Sequence, residues 1–399
     1  MSKICLYFQI HQPWRIKNFS IFDIGANSNY FATDSKENFD NRKILNKVAD
    51  KSYRPMMQLL LKKLETNPDF RFSLSITGVV IEQMNEFAPD LIELLQKMAA
   101  TGRVEFLSET YYHSLSSLYS PTEFLLQISK HNRLMDDLFG QKPKVFRNTE
   151  LIYTNQVARV IQELGYLGML AEGAGKILKG RKPTNVYMAP CGLPLLLKHY
   201  MLSDDIAFRF SESARSDKPL TADTYSHWIS SSFSDDEVVN LFMDFETFGE
   251  HQWEDTGIFD FFHHFVDKYV STGNRFVLPT EELKGRQPVD IFDSEDPVSW
   301  ADVDRDITAW RGNELQYDTL SVIYGLEKDI MKTGDENLIN DWRKLQTSDH
   351  FYYMCTKWSN DGDVHAYFSP YGSPYNAYVN FNNAISDLKW RLLSANKNG

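Results

Sequence analysis

Two hydrophobic rhythms alternate along the first two-thirds of this chain. One is the short apolar run: Ile4 to Ile10, Phe70 to Ile76, Val104 to Leu107, Lys144 to Arg147 and Tyr166 to Leu170. Such runs, apolar on both faces, suit strands buried on both sides. The other rhythm is helical. Leu91, Ile92, Leu94, Leu95 and Met98 fall on one stripe, with Pro89 before it and Gly102 after it. Ser120-Pro121-Thr122-Glu123 predicts a capping box opening a helix that stops at Gly140. Thr154 caps another, carrying Val157, Val160, Ile161 and Leu164 and closed by Gly165. Strand–helix–strand repetition predicts an α/β fold whose parallel sheet is covered by helices.

Residues 12–50, polar throughout, read as a surface insertion. Residues 183–210 read as a hairpin in which VYMAP and PLLLKH flank Cys191-Gly192. Val238 to Phe242 is a late strand and Arg275 to Leu278 a final one. Residues 285–308, rich in Asp, Pro and Ser, form a connector, after which helical spacing dominates through Leu315, Leu320, Ile323, Leu326 and Ile330, and again through Ala384, Ile385, Leu388 and Leu392. The expected division is a barrel over 1–299 and a helical domain over 300–399.

Composition narrows the partners. The 54 acidic residues exceed the 42 basic ones, giving a net charge of −12, which disfavours nucleic acid and anionic membranes. No apolar stretch approaches membrane-spanning length, and the first residues lack a small-residue cleavage site, so a cytoplasmic location is expected. Acids together with 27 Phe, 20 Tyr and 8 Trp fit a neutral, hydroxyl-rich ligand. Three distant cysteines, Cys5, Cys191 and Cys355, argue against a disulfide framework and a zinc knuckle. No metal is expected, because no histidine motif of metal-ligand spacing occurs. No cofactor is expected either, because glycine-rich phosphate loops are absent.

The chemistry-bearing residues sit at strand ends: His11, Glu109, Glu150, Glu172, Asp244 and Glu246. Carboxyl ends of parallel strands converge, and sites are built there. Acids crowded at one mouth drive their pKa values apart, so that one stays protonated while another is ionised. Glycoside hydrolysis needs such a pair. Arg147, three residues before Glu150, favours an ionised carboxylate. Asp244 lies in an apolar and acidic run, Leu241 to Glu246, which raises its proton affinity.

Five blocks then carry a resemblance: HQP at His11 to Pro13, TGVVIEQ at Thr77 to Gln83, FRNTELIY at Phe146 to Tyr153, DFETFGEH at Asp244 to His251, and SDHFYYM at Ser348 to Met354. In this order they resemble glycoside hydrolase family 57, and the compact α-amylase-like branch in particular. The resemblance implies an incomplete parallel (β/α)7 barrel, with a C-terminal α-helical domain completing the cleft. It implies Glu150 as nucleophile and Asp244 as general acid/base of a retaining enzyme acting on α-1,4-glucan. His11, Glu82, Glu246 and His251 are then expected at the sugar, with Asp349 and His350 folding back over the barrel mouth. Trp14, Trp253, Tyr352 and Tyr353 are candidate stacking rings. The same carboxylate pair serves a 4-α-glucanotransferase, and α-galactosides are further candidate substrates. A metal-dependent deacetylase on a similar barrel and a non-catalytic glucan-binding protein are the more distant alternatives. Oligomeric state is not readable.

Overall fold

Strand β1 (Lys3–Ile10) is the centre of the molecule and shows why its sequence is so apolar. Ile4, Leu6, Phe8 and Ile10 point into a layer shared with covering helices, whereas Cys5 and Tyr7 join a second cluster with Leu107, Leu170, Leu196 and Phe242. Alternate side chains go to opposite faces, and here both faces are dry. The structure is a computed structural model and describes residues 1–31, 33, 39–212, 220–357 and 369–398.

Along one edge β1 pairs with β8 (Val239–Asp244) from Ile4↔Val239 to Gln9↔Asp244. The other edge is divided between β9 (Arg275–Val277) at its start and β2 (Phe72–Ile76) at its end. β2 pairs in turn with β3 (Val104–Phe106). A second sheet holds β4 (Val145–Arg147), β5 (Gly168–Glu172) and β7 (Pro194–Lys198), all parallel, with β6 (Val186–Met188) antiparallel on β7.

The two sheets meet at two thin seams. Beyond β3, a Ser108↔Phe146 bridge joins β4. Between β7 and β8, the His199 N–H donates to the Asn240 carbonyl (2.9 Å) and the Asn240 amide donates to the Leu197 carbonyl (2.8 Å). Among the described residues, β1, β2, β3, β4, β5, β7 and β8 therefore form a ring of seven parallel strands, one short of an eight-stranded barrel and joined only thinly at these two seams. The hairpin expected within 183–210 is the β6–β7 pair, followed by a helix over Tyr200–Ala207.

Several local expectations need correction. β2 begins at Phe72 rather than Phe70. β5 begins at Gly168 rather than Tyr166, because the Tyr166 backbone amide donates instead to the Ile161 carbonyl of the preceding helix (3.3 Å). Ser120 caps the helix Pro121–Phe139 through the Glu123 amide (3.1 Å), but the Glu123 carboxylate does not reach back. Arg343 takes it bidentately at 2.8 and 3.0 Å, a charged pairing that outcompetes a cap. The region 12–50 is also not merely surface. Trp14, Ile16, Phe19, Tyr30 and Phe31 are buried with Trp310, Trp342, Phe351, Phe381 and Leu388 of the C-terminal helices, and residues 41–48 form a helix. Residues 32 and 34–38 of that region lie outside the described residues. The last helix, Pro374–Asn398, packs against this segment, so the helical part is fastened to the barrel mouth through a shared aromatic core.

Candidate active site

Parallel strands put every residue that follows a strand end at one rim. There His11 follows β1, Thr77 follows β2, Glu109 lies just beyond β3 and Glu150 beyond β4, while Glu172, Lys198 and Asp244 end β5, β7 and β8.

Glu150 sits in a single 3-10 turn, Thr149–Leu151, with φ 56° and ψ 26°. A left-handed non-glycine residue costs about 1–2 kcal/mol, so surrounding contacts must impose it. They come from three distant segments. The Trp300 indole N–H donates to Oε2 (2.8 Å), the Ser348 hydroxyl donates to Oε1 (2.9 Å), and His113 Nε2 lies 3.4 Å from Oε1. The other ring nitrogen of His113 is 3.3 Å from Glu109, which is fully buried and accepts from the Gln9 amide at 3.1 Å.

The electrostatics separate the acids. Burial alone would raise the Glu150 carboxyl, but the hydrogen bond and charge of His113, helped by Arg147, hold it below the usual range. Glu109 is held low by the same histidine. Burial opposes protonation of His113, yet its bonds to the two carboxylates prevail and push it up to about 9. Asp244 moves the other way. Burial first, then the negative charge of Glu150, lifts it to about 6. Glu246 rises to about 8 through burial and Asp244. It accepts from the Tyr53 hydroxyl and, at 3.4 Å, from the Gln12 amide. The glycine in this block has a structural reason. Gly249 has φ +103°, and a Cβ there would fall 1.9 Å from the Lys51 carbonyl oxygen.

Arg147 is fully buried with its guanidinium 4.8 Å from the Trp300 ring centre. Among the described residues none of its three nitrogens has a hydrogen-bond acceptor, so it acts as a nearby fixed charge rather than as an ion-pair partner. Lys198 lies over the same indole at 5.4 Å and bonds Asp204 at 3.2 Å.

His11 uses both ring nitrogens on protein, 2.9 Å from the Thr77 hydroxyl and 2.9 Å from Asp349. Burial lowers its pKa, so a neutral ring donates to Asp349. Burial would raise the Asp349 carboxyl, but His11, His113 and Arg15 keep it well below the usual range. Glu82 accepts from Trp14 (3.0 Å) and Tyr111 (3.0 Å) and pairs with Lys344 at 3.0 Å.

Other expected residues do not join this cluster in the same way. His350 packs on Phe381 at 5.5 Å, and burial lowers its pKa to about 4. Tyr353 lies 5.8 Å from Tyr371, in the shared aromatic core. Trp14 is 5% exposed and Tyr353 is 2% exposed, so neither presents a free ring face for stacking. Tyr352 lies 6.1 Å from Trp310. Burial lowers His251 to about 4. Trp253 is half-exposed, beneath the Lys51 ammonium at 5.4 Å.

The sequence matches the family described as Glycosyl hydrolase family 57 over residues 5–295. It is 37% identical over 401 residues to a Methanocaldococcus jannaschii protein named "Putative alpha-amylase", covering 98% of this chain and 84% of that one. The chain belongs to glycoside hydrolase family 57. A Dictyoglomus thermophilum protein named "Alpha-amylase 1" is 25% identical over 150 residues, 38% of this chain and 21% of its own length. Among solved structures, 4-α-glucanotransferase from Thermococcus litoralis superposes with TM-score 0.67 at 15% identity, covering 94% of this chain and 59% of that one. The family 57 branching enzyme of Thermococcus kodakaraensis gives 0.67 at 14%, with 92% and 87% covered. These likenesses establish the fold.

Three residues of this family 57 rim escape sequence reasoning. His113 stands four positions after Glu109, a carboxylate–histidine spacing that is itself a signal. Trp300 is an indole in a segment otherwise read as connector. Ser348 opens a block whose Asp and His draw the attention.

Proposed function

We propose that this enzyme cleaves α-1,4-linked glucan with retention, Glu150 being the nucleophile and Asp244 the general acid/base. The observation that carries the reading is the divergence of two carboxyl groups at one rim. Against burial, Glu150 is held ionised by His113 with help from Arg147, while Asp244 is lifted to about 6. Below about pH 6, one acid can attack as an anion while its neighbour still carries a proton. A Glu150 oxygen bonds to the anomeric carbon as the glycosidic bond breaks, and Asp244 protonates the departing oxygen. Asp244, now a carboxylate, takes a proton from an incoming hydroxyl, whose oxygen displaces Glu150 and restores it.

Whether that hydroxyl belongs to water or to another glucan separates hydrolase from 4-α-glucanotransferase. Relatives carry both names, so the transferase remains the second reading. The test is one incubation with a single maltooligosaccharide, products being resolved by length and anomeric form. Shorter α-anomeric products support hydrolysis with retention, and longer ones support transfer. Glu150→Ala is expected to abolish turnover while folding normally, and azide is expected to restore it as a β-glycosyl azide. An inverted product, or no rescue, refutes the nucleophile assignment.

A further inference from the structure

Behind Glu150 lies a second buried carboxylate with a histidine between the two. The Glu109 carboxylate has no exposure, and the His113 side chain is 4% exposed. His113 spans the gap, Nδ1 3.3 Å from Glu109 and Nε2 3.4 Å from Glu150. Its ring is stacked on His11 with centroids 4.0 Å apart and planes 24° apart. Its carbonyl accepts from the Ser348 amide at 2.9 Å, and the Ser348 hydroxyl holds Glu150 Oε1. His113 also has φ 51°, so two of the residues in the relay, His113 and Glu150, carry left-handed backbone.

We infer that Glu109 and His113 form a fixed charge relay in which the buried carboxylate keeps His113 as an imidazolium, and that this cation positions Glu150 and keeps it ionised. The inference rests on the nucleophile assignment above for its meaning, but not for its measurement.

Charge accounting supports it. Glu109 and Glu150 face His113 as anions, with Asp349 on the far side of His11 and Asp244 across the rim. Burial and the nearby Arg147 oppose a cation there. Arg147 bonds neither carboxylate among the described residues. His11 is neutral, since burial and the neighbouring imidazolium lower it. His131, beside the Glu109 amide at 3.4 Å, is also driven neutral by burial. His113 is thus the group that supplies hydrogen-bonded positive charge to both acids. Two buried carboxylates sharing a neutral imidazole would repel each other, and one would take up a proton. His113 acts through Glu150, whose Oε1 lies 3.4 Å from its Nε2. It is a positioning residue, and its signature is the pH range over which Glu150 is an anion.

The test uses the whole protein labelled with 15N-histidine, titrated by long-range 1H–15N correlation of the imidazole rings, alongside pH profiles of kcat/KM on a maltooligosaccharide. One ring is expected to keep both nitrogens protonated at pH 7 and up to about 9, as its surroundings dictate. That signal should vanish in His113→Gln. In Glu109→Gln it should titrate about 1–3 units lower, the range expected for loss of a close opposite charge. In both variants the acid limb of kcat/KM should rise, because Glu150 then takes up a proton at higher pH. A ring at position 113 that is neutral at pH 7 overturns the relay, and so does a titration unmoved by Glu109→Gln. A variant with a lower melting temperature but an unmoved acid limb reduces His113 to packing. If a variant fails to fold, the wild-type titration decides alone. If the protein leaves maltooligosaccharides untouched, the functional reading falls while the imidazole titration still stands.

Discussion

Replacing Glu246 by glutamine removes a titration while keeping an acceptor for the Tyr53 hydroxyl. Glu246 is 6% exposed. Burial, then Asp244, raises its carboxyl to about 8. Its folded value therefore lies above the unfolded one, near 4.3. The unfolded chain releases this proton first, so the residue's contribution to stability is intact below about pH 4 and declines as pH rises through 8. With each pKa unit worth about 1.4 kcal/mol, the wild-type penalty is on the order of 1 kcal/mol at pH 5 and 3 kcal/mol at pH 7. Glu246→Gln lacks this penalty. The variant should thus be little more stable than wild type at pH 5 and clearly more stable at pH 7 and 8. Urea unfolding at each pH measures this, with an unchanged m-value showing that the unfolded state is the same. Two parallel stability curves, offset by a constant or not at all, would refute the argument. They would mean that Glu246 is ionised when folded and that Asp244 faces a second full negative charge.

Trp300→Phe keeps a ring beneath Arg147 and Lys198 but deletes the N–H that Glu150 Oε2 accepts at 2.8 Å. A hydrogen bond to a charged group is worth about 1.5–3 kcal/mol, so kcat/KM should fall about 10- to 100-fold at an unchanged melting temperature, and an unaltered kcat/KM would dismiss the indole. Arg343→Met strands the buried Glu123 carboxylate and should cost about 3–5 kcal/mol in thermal unfolding. The double variant Arg343→Met, Glu123→Leu should recover most of that loss, because it removes both charges.

The barrel strands are legible because a strand buried on both faces needs an unbroken apolar run, and Ile4 to Ile10 can be little else. Segments that fold against distant partners are less legible. Residues 12–50 look polar, and their aromatics gain a meaning only when Trp310, Trp342 and Phe381 arrive from the other end of the chain. The capping box at Ser120 fails in its second half for the same reason, since Arg343 lies 220 residues away. At the site, the positions of the acids can be read from the sequence, but their protonation cannot. Glu109, Glu150, Glu172 and Glu246 are the same residue type in the same kind of place, at or just beyond a strand end. The first two are held low because His113 lies between them. Glu172 rises to about 7, since burial outweighs Lys198 at 4.0 Å and neither of its oxygens has a hydrogen-bond partner among the described residues. Glu246 rises further beside Asp244. Arg147, three residues from Glu150 in sequence, is the cation that local reasoning selects. It reaches Glu150 only through space, whereas His113, 37 positions upstream in the chain, makes the contact. Which strand-end carboxyl group is held ionised is therefore set by a partner from another segment, His113, and the one local hint of it is its spacing four residues after Glu109.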